Sequence, residues 1–198
     1  MQPKRSTPVF VIALAALGLI MTLYLVLVRP KYPYGRRTCA LPCMYSTLGI
    51  YARHHGGWLP DSTNGVYEAL TELYPEYTKG TELVGISGNR AHVLSALENG
   101  TSLAGLSSWE YHPGYRIDDD PNIAILWERV PGLHSSGEFT ADWGHAVLFL
   151  SGEHKYISGD KWPEFLREQE LRRKKVLASR SPTNPLKSSE MSNRVDRE

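Results

Sequence analysis

The twenty residues from Val9 to Val28 carry no charge and are almost wholly apolar, which restricts this chain more than anything after them. At about 1.5 Å of rise per residue such a run makes a helix roughly 30 Å long, the thickness of a bilayer's hydrocarbon core. Lys4 and Arg5 precede it, as in a secretory signal. The run is longer than a signal peptide's apolar region, however, and Leu27-Val28-Arg29-Pro30 offers no small-x-small cleavage site. The expected element is an uncleaved single-pass membrane helix over residues 9–28, behind a short basic segment, 1–8.

Sidedness draws on two opposed signals. Arg29, Lys31, Arg36 and Arg37 follow the run, and the positive-inside rule taken literally would put the larger C-terminal part in the cytoplasm. A first hydrophobic segment with a short basic head habitually inserts with its N-terminus inside, which puts that part outside.

Beyond the anchor, the chain is long enough for one domain with a real core. A net charge of +1 provides no field for nucleic acid or for anionic membrane. Residues 29–38 hold two prolines, a glycine and four basic residues, and read as a juxtamembrane linker. Cys39 and Cys43 are the only cysteines, too few for a disulfide scaffold and without Cys or His partners at zinc spacing. A tight i,i+4 bridge is one state for them; two half-buried thiols at the start of a helix is the other.

The pattern after the linker is helical, then extended. Met44, Leu48, Tyr51 and His55 form one stripe of an amphipathic helix that starts near Pro42 and ends at Gly56-Gly57. Val66, Leu70 and Leu73 mark a second short helix stopped by Pro75, and Ala91–Glu98 reads either as a short helix or as a loop with one helical turn. Short strands follow at Ser107–Tyr111 and Ile123–Trp127, then a hairpin of His145–Leu150 with Lys155–Ile157 around Ser151-Gly152. Asp160 is placed to cap a last helix carrying Trp162, Phe165 and Leu166. After Leu171 the apolar face becomes too sparse to hold a helix, so residues 172–198 read as a basic and polar tail without fixed structure. The expected fold class is α+β: a transmembrane helix, then short helices packed on a small antiparallel sheet within residues 39–171.

Three segments in this order carry a resemblance. They are Cys43–Ala52 with His55-Gly56-Gly57-Trp58-Leu59-Pro60, then Ala69–Tyr77, then Leu126-Trp127-Glu128-Arg129 with Gly132–Gly137 and Ala146–His154. Together they resemble bacterial prepilin-like proteins, the pseudopilins of type II secretion and their relatives. The resemblance implies a pilin-like domain, a structural or assembly role near a secretion or pilus-like system, other pilin-like subunits as partners, and a C-terminal domain outside the cytoplasm. The chain departs from that family at its head, where Ser6-Thr7-Pro8-Val9-Phe10 replaces the Gly-Phe-Thr-Leu-x-Glu processing motif. No Glu lies within the apolar run, so the contact it makes with a neighbouring subunit is missing, and Pro30 and Pro33 interrupt the family's continuous helix. The implied protein is therefore a tethered pilin-like domain rather than a processed pilus subunit.

The enzymatic alternative is a membrane-tethered papain-like cysteine peptidase. Cys39 or Cys43 at a helix N-terminus would be the nucleophile, His145 the base, and Asp160 the group orienting it. Ala40 stands where such peptidases carry Gly, and no Gln precedes the cysteine to supply an oxyanion donor. His54, His55, His134, His145 and His154 lack a ligand spacing, and Asp118-Asp119-Asp120 reads as a solvated turn rather than a Ca²⁺ loop. The expectation is a non-enzymatic protein with no catalytic, cofactor or metal site, whose defined partner is the lipid bilayer.

Overall fold

The computed structural model describes residues 7–180. Of the basic segment expected at residues 1–8, residues 1–6 lie outside them, as does the tail beyond Arg180, while Thr7 and Pro8 already belong to the first helix. Helix α1, Thr7–Leu23, passes directly into a π-helical turn, Tyr24–Val28. Its side chains from Phe10 onward are exposed along the whole length, Phe10 at 68% and Val26 at 64%, so no part of the domain covers it.

Helix α2 is Ala40–His54, followed by α3, Val66–Thr71, a 3-10 turn at Glu82–Val84, and α4, Arg90–Glu98. Of the stripe read from the sequence, Met44, Leu48 and Tyr51 are buried and His55 is exposed; Leu41 and Ala52, outside that stripe, complete the buried face of a helix that starts two residues before Pro42. Burying Leu41, Met44 or Leu48 is worth about 1.5–3 kcal/mol each against solvent. Gly56 and Gly57 take φ of 62° and 92°, and Gly57 N–H closes the helix end on Ala52 O at 2.7 Å. Asn89 caps α4 by accepting from His92 N–H at 3.2 Å, which starts that helix one residue earlier than its pattern suggests.

The sheet is an antiparallel meander, β1 (Trp109–Tyr111), β2 (Ala124–Glu128), β3 (His145–Phe149) and β4 (His154–Ile157), in spatial order 1-2-3-4. Every residue of β2 is buried. That follows from layers on both faces. Ala146 and Leu148 of β3 join the main core with α2, whereas Val147 and Phe149 turn to the other side and meet Phe165. A register shift between Ala124 and Leu126 sends Ile125 and Leu126 to the same inner core, while Ala124 and Trp127 face outward.

The outer layer is α5, Trp162–Arg180. It corrects the expectation that helix ends near Leu171. The apolar face is indeed sparse, and polar side chains replace it. Gln169, 2% exposed, accepts from Ala124 N–H at 2.8 Å and donates to Asn122 O at 3.1 Å, filling the place of a missing ladder partner beside the bulge. Arg172 pairs with Asp120 at 3.0 Å, and Arg173 donates to Ala124 O at 2.9 Å with its guanidinium over Trp127. Arg180 pairs with Asp119, donates to Gly114 O at 2.7 Å and stacks over Trp58. Within the run Arg172-Arg173-Lys174-Lys175 the two arginines fasten the helix to the domain, while the two lysines face solvent.

Candidate functional site

The segment joining the apolar N-terminal helix to the domain is not a loose linker. Tyr32 N–H bonds Val28 O at 3.0 Å, carrying a helical turn past the apolar run. The long connection between β2 and β3 then meets it twice: Phe139 N–H donates to Lys31 O at 2.8 Å, and Arg37 N–H donates to Ser136 O at 2.8 Å. Lys31 Nζ pairs with Glu138 at 3.1 Å, and this hydrogen bond raises the ammonium above its ordinary pKa. Arg37 Nε reaches Ile86 O at 3.2 Å. Gly137, at φ 82°, packs against the Gly35 carbonyl, where a side chain would collide. Residues 31–37 thus form a collar shared by the anchor and residues 136–139.

Immediately after the collar, Cys39 and Cys43 are joined in a disulfide, their Cα atoms 5.4 Å apart. Cys39 is the N-cap residue, with φ −148° and ψ 18°, so the pair is not an i,i+4 pair inside a regular helix. Of the two states open to them, the bridge is the one adopted. Neither sulfur is then available as a thiolate.

The rest of the peptidase constellation is also engaged elsewhere. His145 bonds the Glu128 carbonyl through Nδ1 at 2.7 Å, and its ring stacks on Trp162 with centroids 4.1 Å apart. Asp160 is exposed, its pKa lowered by the Ser158 hydroxyl, and no hydrogen bond joins it to His145 among the described residues. Sequence order brought these side chains into a plausible series, but the fold spends each on structure.

The other candidates resolve similarly. His55 stacks on Tyr51 at 3.8 Å, and His134 on Tyr156 at 3.7 Å. No three His, Cys, Asp or Glu side chains among the described residues come close enough to share a metal ion. Asp118, Asp119 and Asp120 pair with Arg116, Arg180 and Arg172 respectively, so the acidic turn is a clasp for α5 and the Trp58 loop rather than an open oxygen cage. Arg116 holds the Asp118 carboxyl below its usual range; Asn122 amide hydrogen bonding does the same for Asp120.

One residue with a decisive part was given no role by its sequence. Glu128, fully inaccessible at the end of β2, accepts four hydrogen bonds. Oε2 takes Ile86 N–H at 2.8 Å and Ser108 Oγ at 2.7 Å; Oε1 takes Ser87 Oγ at 2.6 Å and Val130 N–H at 3.3 Å. A carboxylate closing an otherwise apolar strand was the available signal. It knots the 84–87 turn and the end of β2 to Ser108. With four donors on a carboxylate that is itself inaccessible to solvent, the arrangement is suited to structure.

No protein-family model matches this chain, and neither a curated protein nor a solved structure matches it.

Proposed function

We propose that this chain is a membrane-anchored, non-enzymatic structural or assembly protein: a pilin-like α+β domain held at the membrane by an uncleaved helix, with the domain outside the cytoplasm. The observation that carries the reading is the helix at Phe10–Val28, with a mean hydropathy of 2.7 and none of its surface buried by the domain. A soluble protein would hide such a face; lipid is the medium that accepts it. The Cys39–Cys43 bridge supports the extracytoplasmic side, because structural disulfides persist in oxidising compartments. It favours the insertion habit of basic-headed anchors over the literal count of flanking charges.

The pilin-like part rests on the layout, an N-terminal apolar helix followed by helices on one four-stranded antiparallel sheet, together with the segment resemblances. Its partners in that reading are the bilayer and other pilin-like subunits or secretion components. Fractionation and protease treatment test it jointly. The chain is expected in membranes, resistant to alkaline extraction, with its domain digested by protease added to spheroplasts. Recovery of the domain in the aqueous fraction, or protection until the inner membrane is lysed, overturns the anchor or the sidedness respectively.

A further inference from the structure

The collar fixes part of the domain at a known depth. Lys31 lies three residues beyond Val28, about 4.5 Å of helical rise. Phe139 N–H sits 2.8 Å from the Lys31 carbonyl. If the apolar run ends where the hydrocarbon ends, Phe139 falls within the polar headgroup layer, roughly 5–8 Å thick on each side of the membrane. Phe139 is 38% exposed and Tyr34 is 46% exposed.

Four residues on, Trp143 is 67% exposed and adopts φ 59°, a conformation that a bulky L residue rarely takes. Its flanks are bolted to the domain. Gly159 N–H bonds Asp142 O at 3.1 Å, Gly144 N–H bonds Tyr156 Oη at 3.1 Å, and Gly132 N–H bonds Gly144 O at 2.6 Å. Glycine or asparagine would satisfy that backbone at lower cost, and the indole contributes little to the core. The indole is instead presented to whatever lies outside the domain. Arg29 and Arg36 are exposed in the collar, Arg36 over the Tyr32 ring, and Lys31 is exposed but paired with Glu138; Asp142, which accepts from the Tyr156 and Thr140 hydroxyls, stays anionic beside Trp143.

We infer that the face formed by the collar and residues 138–143 docks onto the membrane surface, with Trp143 and Phe139 seated among lipid headgroups and the exposed cations meeting anionic phospholipid. Aromatic rings that are apolar on one side and polar on the other favour this interface, and basic residues favour its anionic charge. The inference rests on the anchor reading and adds to it a second, non-covalent attachment of the domain itself.

The test uses the full chain reconstituted into phosphatidylcholine vesicles, with and without phosphatidylglycerol, some of the lipid carrying bromine high on the acyl chain. Emission of wild type minus Trp143→Phe isolates the Trp143 signal. With phosphatidylglycerol present that signal is expected to shift to the blue and lose most of its intensity to the bromines, whereas a Phe139→Ala/Trp143→Ala chain still floats with the vesicles. A chain that floats but whose Trp143 emission stays red and unquenched overturns docking and leaves the anchor standing. A chain that does not float overturns the anchor, and docking with it. Equal quenching without phosphatidylglycerol overturns the role given to anionic lipid.

Discussion

Replacing Glu128 tests whether the buried carboxylate is a structural knot. Glu128→Ala leaves the buried Ile86 N–H with no acceptor, at a cost of about 1–3 kcal/mol, and removes charge-assisted bonds to two serine hydroxyls and Val130 N–H. Ser108 retains the Val84 carbonyl at 3.4 Å as a weak alternative, and Ser87 and Val130 are only partly buried, so the losses do not add in full. A net destabilisation of about 3–5 kcal/mol is expected, a large share of the roughly 5–15 kcal/mol that holds a domain folded. Glu128→Gln keeps one oxygen for Ile86 and Ser108 and turns its amide toward Ser87 Oγ, which can accept, and Val130 N–H, which cannot. Its cost should be only about 1–2 kcal/mol. Urea unfolding of the detergent-solubilised chain, followed by far-ultraviolet circular dichroism, measures both. An alanine variant within about 1 kcal/mol of wild type, or a glutamine variant as unstable as alanine, would refute the reasoning.

His112 gives a pH dependence of fixed sign. Burial, with Arg173 adding to it, lowers its pKa from 6.5 to about 3, so the folded protein holds it neutral while the unfolded chain takes up a proton below 6.5. Stability should therefore rise with pH between about 3 and 6.5, by at most ~1.4 kcal/mol per unit, and His112→Phe should flatten that slope in unfolding curves taken across the window. Maleimide should find no free thiol in the folded chain until a reductant is added, and Cys39→Ser/Cys43→Ser should cost no more than about 2 kcal/mol, because so short a loop constrains the unfolded chain little. Gln169→Ala should cost about 1–3 kcal/mol in the same urea assay, because it orphans Ala124 N–H and Asn122 O beneath α5, while Gln169→Glu, which keeps the acceptor alone, should fall between.

Apolar periodicity made α2 and the β3–β4 hairpin legible, since Met44, Leu48 and Tyr51 of the α2 stripe face the core with Ala146 and Leu148, although His55 at the end of that stripe is exposed. It failed on α5 for a definite reason. That helix is held through Gln169, Arg172, Arg173 and Arg180, and polar docking leaves no mark on a hydrophobic stripe. The collar was hidden similarly, because Lys31 and Arg37 engage residues 136–139 through main-chain groups, which every sequence possesses. Cys39 and Cys43 left two states open, since only the non-helical backbone of Cys39 separates a bridgeable pair from an ordinary i,i+4 pair. Glu128 was visible as an acid in an apolar strand, but three of its four donors, Ile86, Ser87 and Val130, come from turns that the pattern could not place.

A globule hung from lipid by a single strand of chain swivels. Here the strand is doubled: one path runs covalently through Cys39 into α2, the other crosses at Lys31 and Arg37 into the connection that feeds β3. Turning the greasy rod about its own axis therefore turns the meander with it. On the proposed anchoring, whatever meets this molecule in the plane of the bilayer would meet one set azimuth, and a tug from either end would be divided between a main-chain route and a hydrogen-bonded one.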